Sequence, residues 1–382
     1  PIDEITLLEH LKSTDRLEKS GGISYITEIG SSVLTTANVK SYIKIVEDKA
    51  TLRKLIDSST KIIESCYNNQ DDVEKVIDVA EQKIFDLAEK KSSSDFEPLS
   101  DILERGFEQI ETLFNNKGEV TGVGSGFKDL DDLTSGFQKG DMILIAARPS
   151  MGKTTFALNI AEHAALREGK SVVIFSLEMS KEQLAYKLLC SEANVDMLKL
   201  RTGNLEDKDW ENIARASGPL SSAKIYIDDT AGVSIMEMRS KCRRLKIEYG
   251  IDLILIDYLQ LMSGSGEESR QQEVSEISRN IKAIAKEMQC PVIALSQLSR
   301  APEQRADHRP MLSDLRESGS IEQDADLVMF LYRDEYYNKE TEEKNVAECI
   351  IAKQRNGPVG NVKLAWIGQF SKFGNLEHNY RE

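Results

Sequence analysis

Residues 147–155, Ala-Arg-Pro-Ser-Met-Gly-Lys-Thr-Thr, constrain the fold more than any other part of this sequence. They follow an apolar run at 142–146, and apolar residues then recur at helical spacing from Phe156 to Ala164. A glycine-containing loop between a buried strand and a helix is the setting of a phosphate-binding loop. Ala147 stands where the general pattern has its first glycine, and an ordinary turn is the alternative. The sequence therefore predicts a phosphate site within an α/β domain.

The chain beyond Gly122 alternates between short apolar runs and helical segments. The runs are rich in β-branched residues and apolar on both faces, as expected of strands in a parallel sheet that helices cover on both sides. Such a sheet collects its ligands at the carboxyl ends of its strands. The seven predicted strands are residues 142–146, 172–176, 225–228, 253–257, 292–296, 327–332 and 348–352.

The loop itself supplies the predicted nucleotide contacts. Lys153 is placed to reach the β- and γ-phosphates, and the Thr154 hydroxyl is placed to bind Mg²⁺. ATP and Mg²⁺ are therefore the expected substrate and metal. The predicted contacts are Ser150, Met151, Gly152, Lys153, Thr154 and Thr155.

Three polar side chains end other apolar runs. Asp257 is a candidate Mg²⁺ ligand, because a carboxylate at the end of a buried strand is costly unless it is solvated or paired. Glu178 is a candidate general base that orients water, with an acid near the N-terminus of a helix at Ser180 as the alternative. Gln297 is a candidate sensor of the γ-phosphate, and a residue that merely caps its strand is the alternative.

Basic residues form two further candidate sites. Lys353 and Arg355 lie at the end of a predicted strand, where they suit the charge that develops on a transferring phosphoryl group; a solvated hairpin tip is the alternative. Two loops could follow a nucleic-acid backbone, or could be ordinary mixed-charge surface. One is the Gly/Ser-rich segment at 263–266, and the other contains Arg300, Arg305, Arg309 and Arg316.

The N-terminal third is predicted to be helical. An apolar stripe runs from Val73 to Ala88, and another helix begins near Val39. The polar segment 90–95 reads as a linker, and a lone amphipathic helix follows it up to Phe114. Its apolar face is expected to fold back on its own domain or to dock on a neighbouring subunit. The predicted domains are 1–91, 92–120 and 121–382.

Charge and cysteine content exclude few functions. The formal net charge is −15. Residues 1–120 hold 15 basic and 24 acidic side chains, so −9 of that charge lies in this third. Net acidity argues against nucleic-acid binding only if the charge is spread evenly, and here it is not. The five scattered cysteines are typical of a reduced cytosolic protein, and no apolar run is long enough to span a membrane.

Motifs in the C-terminal two thirds resemble those of the bacterial DnaB-type replicative DNA helicases. They occur in the order of that family and cover most of residues 120–382. Ala147 is also what this family tolerates. The matching segments are residues 147–159, 176–180, 200–203, 256–261, 294–300, 314–326 and 353–358.

The resemblance implies an ATP-hydrolysing, RecA-like motor domain in a hexameric ring. It assigns Lys153 and Thr154 to nucleotide and Mg²⁺, Asp257 to the metal, Glu178 as catalytic base and Gln297 as γ-phosphate sensor. Lys353, Gln354 and Arg355 would act on the neighbour's ATP. Arg316, Glu317 and Gly319 would contact single-stranded DNA.

The resemblance also implies partners and a location. Primase, a helicase loader and the replication fork are the expected partners, 5′-to-3′ the expected direction, and the cytoplasm at replication forks the expected place. The isolated helix before Phe114 resembles a linker helix that docks on the adjacent subunit. A RecA-like recombinase and a non-hydrolysing ATP-binding assembly protein are the alternative functions.

Two features depart from the family pattern. The all-α N-terminal domain normally has further helices ahead of what is Pro1 here, so this domain is expected to be truncated. Lys187 stands where the family often has an arginine near the phosphates. A fork-shaped donor is thereby replaced by a point charge.

Overall fold

The computed structural model describes residues 4–32, 39–68, 99–115, 120–258 and 270–376, together with residues 76, 80, 83 and 84. The chain divides into two compact units, Pro1–Pro98 and Leu99–Glu382. The three-part division at 91 and 120 stays a prediction. Most of the stripe from Val73 to Ala88, the linker at 90–95 and the loop at 263–266 lie outside the described residues.

The described part of the first unit is helical, as predicted. Its helices are α1 (Glu4–Ser13), α2 (Gly22–Ser32) and α3 (Val39–Asn68), with a short 3₁₀ helix at Glu18–Ser20. The helix predicted to begin near Val39 is confirmed. Helices α1 and α2 pack together, and Ile26 on α2 is buried. Tyr42, Ile43 and Val46 on α3 remain exposed in this chain.

The second unit is built on one sheet. In the described part of the chain, nine strands pair in the order β3-β2-β4-β5-β1-β6-β7-β8-β9. The first six in that order are parallel, and the last three add antiparallel pairs. The strands are β1 (Met142–Ala147), β2 (Val172–Ser176), β3 (Ile225–Asp228), β4 (Leu253–Asp257), β5 (Val292–Gln297), β6 (Leu327–Tyr332), β7 (Val346–Gln354), β8 (Gly360–Ile367) and β9 (Lys372–Asn375).

Helices surround this sheet. The lone predicted helix is α4 (Leu99–Asn115), and among its described side chains Leu103, Phe107 and Phe114 are exposed. Short 3₁₀ helices occur at Ala301–Gln304, Leu312–Ser318 and Gly368–Phe370. The remaining α-helices are α5 (Lys128–Thr134), α6 (Lys153–Leu166), α7 (Lys181–Ala193), α8 (Met197–Thr202), α9 (Asp207–Ser222), α10 (Ile235–Tyr249), α11 (Arg270–Met288), α12 (Gly319–Asp324) and α13 (Asp334–Tyr337).

The central strands are buried on both faces. Ile143 and Ile145 of β1 join Phe156 and Ile160 of α6 in one apolar cluster. Alternate residues such as Leu144 point to the other face and join a second cluster with α11. Side chains alternate along a strand, so both clusters need apolar residues and the strand reads as a continuous apolar run. This burial is why the sequence predicted the parallel strands well.

One strand assignment was wrong in its direction. The run at 348–352 was predicted to be parallel, but it lies within β7, which is antiparallel to β6 and β8. Strands β8 and β9 were not predicted. A hairpin strand at the side of the sheet can expose one face, so half of its residues are polar and the apolar run is interrupted. In β8 the pattern alternates between exposed Asn361 and Lys363 and buried Val362 and Leu364.

The structure shows the surroundings of the cysteines and the character of the helices. Cys190, Cys242, Cys290 and Cys349 are buried free thiols, whereas Cys66 is exposed. Among the described residues, no helix has both the length and the hydrophobicity that crossing a bilayer requires.

A buried carboxyl group lies on the helix that follows the phosphate-binding loop. Glu162 of α6 is 7% exposed, and its Oε2 accepts a hydrogen bond of 2.7 Å from the Ser191 hydroxyl. Its Oε1 is buried and accepts none. Burial raises the pKa of Glu162 from 4.5 to about 7. The folded protein therefore binds this proton more tightly than the unfolded chain does.

We predict that Glu162→Gln changes how stability depends on pH. The stabilising contribution of the wild-type proton is complete below the unfolded pKa and is lost as the pH rises through the folded value near 7. Between about pH 5 and pH 8, the variant should therefore gain on the order of 1–3 kcal/mol of unfolding free energy relative to wild type. Urea unfolding at both pH values measures this difference. The exposed control Glu211→Gln should show none, and parallel pH curves for Glu162→Gln and wild type would refute the prediction.

Candidate active site

The phosphate-binding loop lies between the end of β1 and the start of α6. Gly152 has φ +93°, a backbone conformation that residues with a side chain rarely adopt. A Cβ there would lie 2.9 Å from Phe373 Cζ. Glycine is therefore needed at this position for its backbone and for the aromatic side chain behind it. Ala147 is the last residue of β1, paired in register with Gln297. An extended strand position does not need glycine, which explains why alanine fits.

Residues at or just after the ends of three strands, β1, β2 and β5, meet around a cavity of about 360 Å³. Seven of the predicted site residues line it, and Asp257 lies against Thr154. Met151 is in the loop but is buried beneath it, 1% exposed. Lys353, Gln354 and Arg355 are not part of this lining. The lining residues are Ala147, Arg148, Pro149, Ser150, Gly152, Lys153, Thr154, Thr155, Glu178, Met179, Lys187 and Gln297.

Asp257 and Thr154 form the centre of the candidate metal site. Thr154 Oγ1 donates a hydrogen bond of 2.7 Å to Asp257 Oδ2. Asp257 is 2% exposed, and its Oδ1 accepts no hydrogen bond, with Lys153 Nζ 3.9 Å away. A buried carboxylate oxygen without a donor is unfavourable, and a hard cation with oxygen ligands would relieve that cost. One carboxylate and one hydroxyl, completed by phosphate oxygens, fit Mg²⁺.

Two ammonium groups face two carboxylates in this cavity. Burial lowers the pKa of Lys153, and the charges of Asp257 and Glu178 oppose that shift. Lys187 has the same pattern, since burial lowers its pKa against the same two carboxylates. The substitution at Lys187 therefore keeps a positive charge at the site although the fork-shaped donor is lost. Anionic phosphates entering the cavity would meet both ammonium groups.

Glu178 lies beyond the end of its strand. β2 ends at Ser176, so Glu178 follows the strand by two residues. The N-terminus of α7 is capped by Ser180, whose side chain forms a reciprocal capping box with Gln183. Capping therefore does not require Glu178, which is exposed at the cavity. That position leaves its carboxylate accessible to water.

The segment after Gln297 is tied to the phosphate-binding loop. Gln297 ends β5, and the next amide, Leu298 N, donates to Ala147 O at 3.2 Å. Arg148 donates from Nη1 to Leu298 O at 2.9 Å and pairs with Glu303 at 2.6 Å. Sequence reasoning missed the ion pair between Arg148 and Glu303. The two residues are 155 positions apart, and no sequence motif links them.

Lys353 and Arg355 lie where the parallel strands begin, at the end of the sheet opposite to the phosphate-binding loop. Lys353 pairs in register with Val328, near the beginning of β6, because β7 runs antiparallel to it. The phosphate-binding loop follows the end of β1, and β1 is parallel to β6. Gln354 Nε2 donates to Leu133 O at 3.2 Å within the same unit. Lys353 and Arg355 of a chain are therefore far from that chain's own loop.

Two of the arginines at 299–319 are used within the fold. Arg305 pairs with Asp314, which is 1% exposed at its side chain, and Arg309 pairs with Glu348. Each of these two arginines therefore already has one carboxylate partner inside the fold, and contact of this loop with a nucleic-acid backbone stays a prediction. Residues 316 and 317 lie in the 3₁₀ helix Leu312–Ser318, and Gly319 begins α12.

Comparison with known proteins identifies the family. A model described as the DnaB-like helicase C terminal domain matches residues 122–375, and one described as the DnaB-like helicase N terminal domain matches residues 1–48. The replicative DNA helicase DnaC of Bacillus subtilis (strain 168) is 56% identical over 382 residues, all of this chain and 84% of that protein. The replicative DNA helicase DnaB of Geobacillus stearothermophilus is 53% identical over 384 residues, covering 100% of this chain and 85% of that protein.

The chain belongs to the DnaB-like replicative helicase family. A solved structure of a DnaB-like replicative helicase, described with its interactions with primase, matches with a TM-score of 0.79 and 39% identity. That match covers 98% of this chain and 88% of the solved one. The second unit is thus a RecA-like P-loop domain, and the protein is an ATP-hydrolysing DNA helicase of replication. Neither the recombinase nor the non-hydrolysing alternative is favoured.

We predict that Asp257→Asn uncouples nucleotide binding from Mg²⁺. Asparagine keeps an acceptor for Thr154 but removes the charge that a divalent cation needs, so hydrolysis should fall on the order of 100-fold or more. Thermal unfolding with ATP, with and without Mg²⁺, measures the coupling. Mg²⁺ should add stabilisation in wild type and in the exposed control Asp132→Asn. An unchanged Mg²⁺ effect in Asp257→Asn would contradict the metal site.

Proposed function

We propose that this helicase works as a ring of six copies, each of which completes its neighbour's ATP site. The observation that carries the proposal is the separation of Arg355 from the phosphate-binding loop of its own chain, at the other edge of one sheet. The guanidinium of Arg355 must therefore come to the phosphates from a second copy. A closed ring gives every copy such a neighbour.

Within one site, we assign roles from position and chemistry. Lys153 contacts the β- and γ-phosphates, while the amides of Ser150, Met151, Gly152, Thr154 and Thr155 surround the phosphate chain. Thr154 and Asp257 hold Mg²⁺, which when bound neutralises charge on the phosphate oxygens. Glu178 accepts the proton of the attacking water, a role supported by its exposure beside the cavity. Arg355 of the neighbouring copy stabilises the charge that develops on the γ-phosphate.

Gln297 is proposed to pass the nucleotide state to the DNA-contacting segment. Loss of the γ-phosphate would shift Gln297 and the adjoining Leu298, which the loop holds through Arg148. Arg316, Glu317 and Gly319 lie further along this segment, and we propose that they contact single-stranded DNA. Successive hydrolysis around the ring would then move the ring along one strand in the 5′-to-3′ direction and exclude the other.

The proposed partners follow from the family. Primase is the first, since a DnaB-like replicative helicase structure that matches this chain is described with primase interactions. A helicase loader and the replication fork are the others, with the cytoplasm as the place of action. The exposed stripe of α4 is proposed to dock on the adjacent copy, and the acidic N-terminal unit to contact proteins.

We predict that Lys153→Ala and Glu178→Gln both abolish unwinding but differ in ATP binding. Lys153→Ala removes the phosphate contact, so ATP affinity should fall. Glu178→Gln should retain ATP while hydrolysis falls about 10²–10⁴-fold, because a neutral amide does not accept the proton. DNA-stimulated ATPase, nucleotide binding and forked-DNA unwinding measure the three effects. Full unwinding by either variant would exclude these roles.

Mixed rings test the proposed contribution from the neighbour. Arg355→Ala should lower hydrolysis about 10³–10⁵-fold in uniform rings. In mixtures with wild type, a small fraction of variant copies should remove a disproportionate share of unwinding, because each affects an adjacent site. Lys363→Met, on the neighbouring strand β8, is the matched control. Rings that mix this variant with wild type should keep their full unwinding activity. Activity that declines in strict proportion to the Arg355→Ala fraction would count against action in trans.

A further inference from the structure

The ammonium group of Lys353 is fully occupied within its own chain. Its Nζ donates to the carbonyl oxygens of Glu322, Gln323 and Ala325 at 2.6, 3.1 and 2.8 Å. A lysine ammonium has three N–H donors. With all three used, Lys353 cannot hydrogen-bond a phosphate until at least one carbonyl is released.

Those carbonyls form the end of helix α12 (Gly319–Asp324). The last carbonyls of a helix have no partner within it, and a cation there satisfies them and interacts favourably with the helix dipole. Helix α12 begins at Gly319, two residues after Glu317. Lys353 therefore holds the far end of the segment that carries the proposed DNA contacts.

Arg355 has a different kind of attachment. Its Nη1 donates to Asp326 Oδ1 at 2.9 Å, which takes one of five guanidinium donors. Its side chain is 56% exposed. Asp326 is buried and also accepts Met142 N at 2.9 Å and Lys282 Nζ, so it is fixed to the start of β1. Arg355 can thus reach a neighbour without leaving Asp326, whereas Lys353 must exchange partners.

A phosphate is a strong competitor for the Lys353 ammonium. Charge-assisted hydrogen bonds to an anionic oxygen are roughly twice as strong as those between neutral groups. Burial, followed by the charge of Arg355, lowers the pKa of Lys353, and the carboxylates of Asp326, Glu322 and Asp324 oppose that shift. Neutral carbonyl dipoles compensate less of the Lys353 charge than a phosphate would.

We propose that Lys353 alternates between the C-terminal carbonyls of its own α12 and the ATP phosphates of the adjacent copy. ATP at one interface then releases the end of α12 in the copy that donates Lys353. The DNA-contacting segment of that copy becomes looser when its neighbour holds ATP and is held again after the phosphate leaves. This inference rests on the proposed action in trans, and it adds a direct connection between one copy's nucleotide and the next copy's DNA contacts.

Amide hydrogen exchange, measured on the full chain in its assembled form, tests whether Lys353 leaves the α12 carbonyls when nucleotide binds. A non-hydrolysable ATP analogue with Mg²⁺ should raise the exchange rate of amides in residues 319–326 several-fold in wild type. Lys353→Met should show the raised rate without nucleotide and no further increase with it. Lys353→Arg, which keeps a cation, should restore part of the nucleotide response. Lys363→Met should behave as wild type.

Two results would overturn the inference. One is an analogue that leaves residues 319–326 of wild type unchanged, and the other is an equal increase in wild type and Lys353→Met. The amides of residues 148–154 report nucleotide binding in the same experiment. If the analogue does not protect them, the proposed function fails; if it protects them while α12 does not respond, only the role of Lys353 fails.

Discussion

Burial of the central strands on both faces is the constraint on which the rest of the structure depends. Because β1, β4 and β5 are covered on both sides, their polar residues are confined to the strand ends. Parallel strands place those ends at one edge, so the phosphate-binding loop, Asp257 and Gln297 meet there. The hydrogen bond from Thr154 to Asp257 joins the loop to the sheet at this edge.

The change from parallel to antiparallel pairing has an equally direct consequence. Strand β7 returns alongside β6, so Lys353 near its C-terminal end and Arg355 just beyond it lie at the edge where the parallel strands begin. A chain therefore carries a phosphate site at one edge and a basic pair at the other. Under the proposed function, this separation makes each ATP site a property of two copies, and it places the basic pair beside α12 rather than beside the nucleotide.

Particular elements show how far sequence reasoning reached. The strands β2, β3, β4 and β6 have the predicted bounds. Each is a short apolar run, and the ends of the run coincide with the ends of the strand. Strands β8 and β9 were missed, since their half-exposed pattern is common outside sheets. Seven of the residues that line the cavity, and Asp257 beside it, were predicted from the loop motif and from their places at or after strand ends. Arg148–Glu303 and Arg305–Asp314 were not, because a charged side chain in a loop carries no local sign of its partner.

The sequence alone determined the strand–loop–helix motif, the α/β class and the family resemblance, because each depends on residues that are adjacent or regularly spaced along the chain. The tertiary structure decided which charges are used internally and which face outward. Arg305 and Arg309 turned out to be bound to buried carboxylates, and Lys353 to the end of α12. Pairing of this kind depends on strand order and direction, which bring together residues far apart in sequence, and no local pattern encodes it.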